Sequence, residues 1–563
     1  MNWLKKLSGS CADRRRIFAA LWCAVMLFLA GCGAQGYVSV LAAVAGIGQS
    51  ACPSTPAPII SRAYSEKSPG KTKETIKFVA EASDNNQLPL TYSWNFGDGE
   101  SSTATTPAKA YRKPGKYLVT VTVSNRCKSS EFKFEQEIAW ADIEVAWIQR
   151  LGLSQPRQAA GLPKEPGLEH VSAESLQLIS STKLEIVGQV TCGGCHTTKK
   201  TLQSTDSSYT NHPEILGNKA YSAEFGSSGT QIRLRRVGDN AAESQFHHSH
   251  CALSNAVSHV DGSYFSGGAI GVACYSGTSN LNKSFDSFKS SDGAFVRRED
   301  SSGSIIWSKG VCKNSATAIC ADTRVIGVFP TEDLGVIAVV SAPQPFVRAF
   351  RSDGSVSWTT EIVYEGAIIN DAIFGKANSN ITLVGRQKSG SGGFSGIIVI
   401  KLGLDGKIVW KREVDGTSIE EPRAVFVNSQ EDIYIAGKRA ASPFVMKLDN
   451  DGKNIWKNSN LVSFSGVANV VLEVDDVLYV AGEDATNKDG FLLRLSTIAG
   501  VLSQERKFSG DRNDTVVGGV AGADGSLYLI GNTNSVNLLG KANVGQDFPG
   551  QPFQDGFIMK VLL

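Results

Sequence analysis

Short apolar runs separated by glycine-containing turns recur over the last three-quarters of the chain and predict a repeated β-structure. The clearest copies are PFVMKLDNDGKNIW at Pro443–Trp456, PFVRAFRSDGSVSW at Pro345–Trp358 and GIIVIKLGLDGKIVW at Gly396–Trp410. In each copy an apolar strand leads into a turn built around Gly, and a second strand ends on Trp. Repeats of this kind are small sheets that bury their faces only by stacking on one another.

Three marks align the repeats, and each mark has seven members. The Trp column holds Trp147, Arg233, Trp307, Trp358, Trp410, Trp456 and Ser503. A small residue that ends an apolar run holds the second mark, at Gly188, Gly267, Ser341, Gly385, Gly437, Gly482 and Gly531. The third mark stands twelve positions before the next Trp-column residue, at Tyr221, Phe295, Phe346, Ile398, Phe444 and Phe491, with Phe557 as its last member.

The two ends of this series are complementary. It opens with a Trp-type strand that lacks its partner and closes with the partner strand 557–561, which lacks its Trp. In a closed ring these two strands would pair and leave no free sheet edge at the seam. The pattern therefore predicts an all-β fold with a seven-bladed β-propeller over residues 139–563.

A different alternation of apolar and polar residues marks residues 59–138. Its centre is Trp94-Asn95-Phe96-Gly97-Asp98-Gly99, followed by Tyr111, Gly115 and Tyr117. These residues resemble the PKD domain, a small immunoglobulin-like sandwich. The resemblance implies that Trp94 fills the space between two sheets and that the Gly97-Asp98-Gly99 segment forms a tight hairpin turn. We interpret Asp98 as a turn residue rather than as a catalytic acid or calcium ligand.

The first thirty-one residues read as a targeting segment. A basic leader precedes the apolar stretch Ile17–Ala30, which ends in Leu29-Ala30-Gly31-Cys32. This order resembles the signal peptide and lipobox of bacterial lipoproteins, which implies cleavage before Cys32 and lipidation of its thiol. Residues 32–58 would then be a flexible tether. The residue after Cys32 is Gly33 and not Asp, which favours the outer membrane if the host is a diderm. The alternatives are an ordinary cleaved leader or a membrane anchor extended through Tyr37–Ile47.

The end of the chain resembles the seven-bladed propeller repeat of bacterial surface proteins. The matching residues are Gly531, Thr533 and Ser535, then Asp547-Phe548-Pro549, then Asp555-Gly556-Phe557. This resemblance implies an architecture and not an activity.

Composition narrows the function. A net charge of +2 argues against a nucleic-acid surface, and no nucleophile elbow, phosphate loop or HExxH motif is present. The carboxylate pairs Glu420-Glu421 and Asp475-Asp476 flank strands and are expected to be solvated turns. We therefore expect no catalytic residues, no enzymatic activity and no cofactor.

Export permits disulfides. Eight cysteines remain after the leader and the lipidated Cys32, namely Cys52, Cys127, Cys192, Cys195, Cys251, Cys274, Cys312 and Cys320. An even number suits four bridges, and pairing of nearest neighbours is the simplest arrangement.

One segment leaves a second function open. Cys192-Gly193-Gly194-Cys195-His196 contains the CxxCH motif of c-type haem attachment, and all seven histidines lie between His170 and His259. His247, His248 and His250 form a second group with Cys251. Haem or a divalent metal could bind here. An oxidised Cys192–Cys195 loop explains the same residues, because the segment after His196 is polar.

These observations predict a lipid-anchored envelope protein that binds an extracellular or envelope protein or glycan, with no nucleic-acid partner. The PKD domain would be a spacer or second contact module. The long insertions at 189–220, 268–292 and 532–554 occupy one equivalent connection in three blades, so they are expected to project from one face as the contact surface. The alternative is a periplasmic redox or metal-binding protein.

Overall fold

The computed structural model describes residues 56–153, 169–180, 183–192, 199–204, 221–224, 230–237, 241–247, 252–260, 263–270, 294–300, 305–311, 323–364, 366–375, 379–388, 394–415, 420–459, 461–542 and 554–563. Every regular element in these segments is a β-strand. None of them contains a helix long and apolar enough to cross a bilayer. The chain divides into two compact units, the first ending at Ala141 and the second beginning at Asp142.

The first unit is a sandwich of two sheets. One sheet has the order β1 (Ile59–Ser65), β3 (Thr75–Ser83), β6 (Ala108–Ala110). The other has the order β2 (Gly70–Lys71), β8 (Ser129–Ala139), β7 (Gly115–Ser124), β4 (Thr91–Asn95), β5 (Ser101–Ser102). Alternate residues of β3 and β7 are buried, as Ile76, Phe78, Val119 and Val121 show, so the period-two pattern read from the sequence is the inward face of each strand.

The described part of the second unit contains seven sheets of four or more antiparallel strands, which we call blades 1 to 7. Blade 1 contains β10 (Glu169–Ser180), β11 (Lys183–Cys192), β14 (Thr230–Val237) and β15 (Ala241–His247). Blade 2 contains β16 (Ala252–Val260), β17 (Ser263–Ile270), β18 (Ala294–Glu299) and β19 (Ile305–Gly310). Blade 3 contains β20 (Arg324–Pro330), β21 (Val336–Ser341), β22 (Phe346–Phe350) and β23 (Val356–Glu361).

Blades 4 to 6 repeat this order, each with its strands in sequence from one edge of the sheet to the other. Blade 4 contains β24 (Ile368–Gly375), β25 (Asn380–Lys388), β26 (Phe394–Gly403) and β27 (Ile408–Asp415). Blade 5 contains β28 (Glu420–Val427), β29 (Ile433–Arg439), β30 (Ser442–Leu448) and β31 (Asn454–Asn458). Blade 6 contains β32 (Gly466–Val474), β33 (Val477–Asp484), β34 (Asp489–Ser496) and β35 (Leu502–Phe508).

Blade 7 closes the ring with strands from both ends of the second unit. Its order is β36 (Asp514–Ala521), β37 (Leu527–Thr533), β40 (Asp555–Leu562), β9 (Glu144–Leu153), β12 (Lys199–Ser204), β13 (Tyr221–Glu224). A separate hairpin, β38 (Asn537–Leu538) with β39 (Lys541–Ala542), lies between β37 and β40. Met559 pairs with Ile148 and Lys560 with Trp147, so the predicted pairing of the last strand with the first is confirmed.

The first strand of each blade packs against the first strand of the next blade, and β36 of blade 7 packs against β10 of blade 1. These seven first strands are therefore the innermost strands of a closed ring. The all-β architecture of a PKD-type sandwich followed by a seven-bladed propeller is confirmed.

Blade 1 departs from the predicted alignment. Arg233 was expected in an outermost strand, but it lies in β14, the third strand, and β15 is the outermost. Tyr221 was expected in a third strand, but it lies in β13 and belongs to the sheet of blade 7. The cause is the hairpin β12–β13, which leaves blade 1 and pairs with β9 through Leu202 and Leu153. It covers a backbone edge that would otherwise be unpaired.

A β-bulge interrupts every innermost strand near its start, and in blades 4 to 7 it explains the small-residue column. In blade 3 the bulge lies opposite Val340 and Val339, so Ser341 does not share this place. In blades 4, 5, 6 and 7 the bulge lies opposite Gly385, Gly437, Gly482 and Gly531. A Cβ at any of these glycines would overlap a carbonyl oxygen of the bulged strand. The small residue is therefore required by the close approach of two backbones.

Candidate interaction face

Strand direction gives the propeller two different ends. We call the end of the ring where each innermost strand begins the insertion face. The connections from the second to the third strand of a blade, and from one blade to the next, lie at this end. The turns from first to second and from third to fourth strand lie at the other end, the turn face. The three long insertions join β11 to β14, β17 to β18 and β37 to β40, so all three start from the insertion face.

The first insertion is not wholly a projecting loop, as was expected. Its residues 199–204 form β12, which pairs with residues 221–224 (β13) in the sheet of blade 7. Part of this insertion therefore serves ring closure. The second and third insertions lie mostly outside the described residues, apart from the hairpin β38–β39.

One contact is repeated at the turn face from blade 2 to blade 6. The indole Nε1 of a Trp in the outermost strand donates to a backbone oxygen in the next blade's turn between third and fourth strands. The pairs are Trp307 to Ser352 at 2.9 Å, Trp358 to Leu404 at 3.1 Å, Trp410 to Asn450 at 3.0 Å and Trp456 to Thr497 at 3.1 Å. The Trp column is thus a latch between blades.

The turn glycine of the repeated phrase completes this latch. Gly406 has φ +81°, and a Cβ there would lie 2.6 Å from the ring of Trp358. Gly354 has φ +79°, and its Cβ would lie 2.9 Å from the ring of Trp307. Gly is needed both for the left-handed backbone and for the close approach of the indole.

A basic column in the third strands reinforces the turn face, and the sequence reasoning missed it. Its members stand three positions after the third mark of the repeat, and they are Arg298, Lys401, Lys447, Arg494 and Lys560. Arg298 donates to the Ser352 oxygen at 3.0 Å, the same atom that Trp307 contacts. Lys401 pairs with Glu431 of blade 5 at 2.8 Å, where both side chains are buried. The fixed spacing of these residues was visible in the sequence.

The insertion face is built instead from charged side chains that differ from blade to blade. In blade 5 the Glu420 side chain is fully buried, and it pairs with Lys457 and with Arg439. The prediction of a solvated turn is therefore wrong for Glu420. Its neighbour Glu421 pairs with Arg423 and, at 3.6 Å, with Arg386 of blade 4. Asp475 and Asp476 do lie in a turn, both with positive φ.

Blade 6 has a different acidic group at this end. The buried Asp484 accepts from Lys507 Nζ at 2.6 Å and from the Asn487 amide at 2.7 Å. Burial alone would raise the pKa of Asp484, but these hydrogen bonds hold it below the usual value. Asp484 therefore keeps its charge and orders the connection that follows β33.

In blade 7 hydroxyl groups donate to an acid in the same place. The buried Asp514 carboxylate accepts from the Thr533 hydroxyl and, at 3.0 Å, from the Ser535 hydroxyl. Thr533 and Ser535 are two of the residues that resemble the bacterial propeller repeat. Here they hold the start of the third insertion against the innermost strand, which is a structural role.

Asp371, beside the bulge of blade 4, joins two innermost strands. Its carboxylate accepts from the Val425 amide of blade 5 at 2.8 Å and from the Ala372 amide at 2.8 Å. Burial raises the pKa of Asp371 to about 7 despite these two hydrogen bonds. A titratable group therefore holds blades 4 and 5 together near the channel.

In the PKD-type unit the motif residues lie where a sandwich needs them. Trp94 and Phe96 are buried in the core, and Trp94 Nε1 donates to the Ala104 oxygen at 3.1 Å. Gly97 and Gly99 have φ values of +81° and +92°.

Asp98 takes part in the hairpin that these glycines form. It accepts from the Glu100 amide at 3.1 Å and pairs with Lys109 at 2.7 Å. The Tyr117 hydroxyl donates to the Lys113 oxygen at 2.7 Å. These contacts are those of a braced turn.

Topology brings the two His/Cys groups to one end of blade 1. Cys192 ends β11 and His247 ends β15, and both strands are antiparallel to β14. The two ends therefore lie at the insertion face. His170 also lies there, because it pairs with Thr191. Cys195, His196, His248 and His250 lie outside the described residues.

Among the described residues no three His, Cys, Asp or Glu side chains are grouped as metal ligands. Cys127 is disulfide-bonded. Cys32, Cys52, Cys251, Cys274, Cys312 and Cys320 lie outside the described residues.

Residues 55–138 match the family model of the PKD domain. No curated protein matches the chain. Among solved structures, Sqt1 from Chaetomium thermophilum is 12% identical over 64% of this chain and 94% of its own, with a TM-score of 0.42. A quinonprotein alcohol dehydrogenase-like protein from Bacteroides thetaiotaomicron is 12% identical over 72% and 96%, with a TM-score of 0.26.

A protein of unknown function from Bacteroides caccae is 10% identical over 60% of this chain and 94% of its own, with a TM-score of 0.30. Likenesses at these scores say nothing about activity. The propeller assignment rests on the strand pairing described above.

Proposed function

We propose that this protein is an extracytoplasmic recognition protein that binds a protein or glycan partner through the insertion face of its propeller. The observation that carries the proposal is the contrast between the two ends of the ring. The turn face repeats one contact from blade 2 to blade 6, whereas the insertion face carries the long insertions and has different acidic groups in blades 4, 5, 6 and 7. A binding surface needs such variation on a rigid scaffold.

The test is a pull-down from cell-envelope extracts with the full-length mature protein. In the variant, the insertions of blades 2 and 7 are each replaced by the two-residue connection Ala440-Ala441, which joins β29 to β30 in blade 5. A matched control carries Lys407→Ala and Ile498→Ser at exposed positions of the turn face. The proposal predicts loss of specific partners in the first variant only, and identical partner lists would contradict it.

We further propose that the protein is held at the cell envelope by acyl groups on Cys32, with residues 32–58 as the tether, and at the outer membrane if the host is a diderm. The order of charge, apolar stretch and LAGC supports this. Two or more acyl chains anchor a protein stably, whereas one binds marginally. Labelling with a fatty-acid analogue should mark the wild type and not Cys32→Ser, and equal labelling would exclude lipidation at this residue.

A second candidate function is supported by the position of the His/Cys groups. Cys192 and His247 end β11 and β15, the two strands that flank β14 in blade 1. The rest of the CxxCH motif follows Cys192 in the chain, and the His248/His250 group follows His247. Thiolate and imidazole are ligands of Zn²⁺ and of haem iron. A Soret band that survives acid-acetone extraction would establish covalent haem. A mass-spectrometric Cys192–Cys195 disulfide would exclude it.

A further inference from the structure

Exposed apolar side chains are concentrated at one end of the propeller. In the described part of the second unit eleven large apolar side chains are exposed, and two of them, Val363 and Val536, lie at the insertion face. The other nine lie at the turn face, where the third strand of a blade ends and the outermost strand begins. We call these nine the apolar rim, namely Ile306, Val356, Leu404, Ile408, Val409, Ile455, Ile498, Val501 and Leu562.

The apolar rim runs along consecutive blades. Each of blades 2 to 7 contributes at least one member. Corresponding turns of a propeller lie at the same level around the ring, so the members form an arc. Single exposed apolar residues are normal on a protein surface, whereas a row of them marks an interaction site.

The rim is most exposed in blade 6, where the turn carries no charge. Blades 3, 4 and 5 have an Asp before the turn glycine, whereas blade 6 has Ala499 before Gly500. Ile498 is 84% exposed and Val501 is 60% exposed. Hydrogen bonds hold this turn, from the Gly500 amide to the Ser496 oxygen at 2.9 Å and from the Ser496 amide to the Val501 oxygen at 3.0 Å. The two side chains therefore project from a fixed turn.

The charges between the members of the rim are balanced. The turns of blades 3, 4 and 5 each have one exposed cation and one exposed acid, which are Arg351 and Asp353, Lys407 and Asp405, and Lys453 and Asp451. A partner with a strong net charge gains little from such a surface. Phospholipid headgroups carry the same balance, because their phosphate accepts from cations and their ammonium groups pair with acids.

Half-buried tryptophans follow the rim residues in the outermost strands. Trp410 follows Val409, and Trp456 follows Ile455. A tryptophan between apolar side chains and a polar surface is typical of the interfacial region of a bilayer, where its ring lies at the level of the headgroups. A row of projecting apolar tips also suits a fluid surface that closes around each tip, whereas a bound protein segment needs a groove.

We propose that the apolar rim binds a phospholipid bilayer, with its Ile, Val and Leu side chains inserted among the headgroups and the upper acyl chains. This goes beyond the proposed function and takes its setting from the proposed acyl anchor on Cys32. The tether of residues 32–58 spans about 30 Å as a flexible chain, so an anchored protein stays at a high effective concentration beside the bilayer. Contact through the rim leaves the insertion face directed away from the bilayer and open to its partner.

The experiment is flotation with vesicles of phosphatidylethanolamine and phosphatidylglycerol, with lipid in large excess. The parent protein is the full chain from residue 32 with Cys32→Ser, so that no acyl chain contributes. The rim variant adds Ile498→Ser and Val501→Ser, and the matched control adds Val363→Ser, at a residue that is 74% exposed on the insertion face. Because each Ile or Val side chain that leaves water strengthens partitioning by about tenfold, the rim variant should bind vesicles at least about tenfold more weakly. The control should bind as the parent does.

Circular dichroism and thermal unfolding show whether each variant folds, and Ile498→Thr with Val501→Thr replaces a rim variant that does not. High salt should change the binding little, because the charges of the rim are balanced. No vesicle binding by the parent, equal binding by the rim variant and its control, or binding abolished by salt would each overturn the proposal. A dimer that is lost in the rim variant, seen by sedimentation velocity without vesicle binding, would assign the rim to a second copy of the chain and overturn it too. The pull-down with the insertion variant does not depend on these results, so the proposed function is tested separately.

Discussion

The two ends of the propeller solve the same packing problem with different chemistry. At the turn face an indole, a positive-φ glycine and a backbone oxygen join successive blades from blade 2 to blade 6. At the insertion face the corresponding places hold a buried ion pair in blade 5, a hydrogen-bonded aspartate in blade 6 and a hydroxyl cap in blade 7. The uniform end maintains the ring, and the variable end is free to acquire binding groups.

This difference has a physical consequence that can be measured. The contact between an indole and a backbone oxygen carries no titratable group, so the contribution of the Trp latch to stability should not depend on pH. At the opposite end the pKa of Asp484 lies below its usual value and that of Asp371 above it, so the contribution of these groups to stability should depend on pH.

The largest effect is expected from breaking the latch at its most buried copy. Trp307 is 7% exposed and contacts Ser352 of the next blade. Trp307→Ala should lower the free energy of unfolding by about 3–5 kcal/mol, by the same amount at pH 5 and pH 8. Urea denaturation measures this. Its neighbour Ile306 is 47% exposed, and Ile306→Ala should change stability by less than about 0.5 kcal/mol. Similar losses in both variants would refute the latch.

A somewhat smaller loss is expected from Glu420. Its side chain is fully buried between Lys457 and Arg439, and removing one member of such a group leaves its partners uncompensated. Glu420→Ala should cost about 3 kcal/mol in urea denaturation, the lower end of the range for a buried pair, because the Arg439 side chain is 42% exposed. The matched variant Glu421→Ala, at a 25% exposed side chain, should cost about 1 kcal/mol or less. The reverse order would contradict the distinction drawn between these neighbouring acids.

Asp371 should make the insertion-face end sensitive to pH. Its folded pKa of about 7 exceeds the ordinary value of 3.8, so the folded state binds the proton more tightly than the unfolded state does. Stability from this group is present at low pH and is lost as pH rises towards 7, by about 2 kcal/mol between pH 5 and pH 7. Asp371→Asn should flatten this dependence in urea titrations at the two pH values. An unchanged pH slope would show that Asp371 is not responsible.

The smallest expected effect separates packing from backbone strain. Gly406 and Gly540 both have positive φ, but a Cβ at Gly406 meets Trp358, whereas nothing lies within 4 Å of a Cβ at Gly540. Gly540→Ala should cost about 1 kcal/mol for the left-handed backbone alone, and Gly406→Ala about 1 kcal/mol more. Thermal unfolding of the two variants measures the difference. Equal shifts would show that the turn glycine is kept only for its φ.

Several features of the fold could be predicted from the sequence because they are local or periodic. The period-two alternation placed the strands, and the complementary ends of the repeat series predicted the pairing of β40 with β9. The alignment was wrong in blade 1, where Arg233 and Tyr221 did not mark the expected strands. There the repeat had diverged, and a hairpin from one blade pairs with another, which no local pattern indicates.

The sequence by itself determined the number of blades, the Trp and glycine marks of the latch, and the sandwich turn, because each depends on residues close in the chain or repeated at a fixed interval. Only the tertiary structure decided that Glu420 is buried and that Asp371 joins two blades. These properties depend on burial and on contacts between residues distant in the chain, and a sequence records neither.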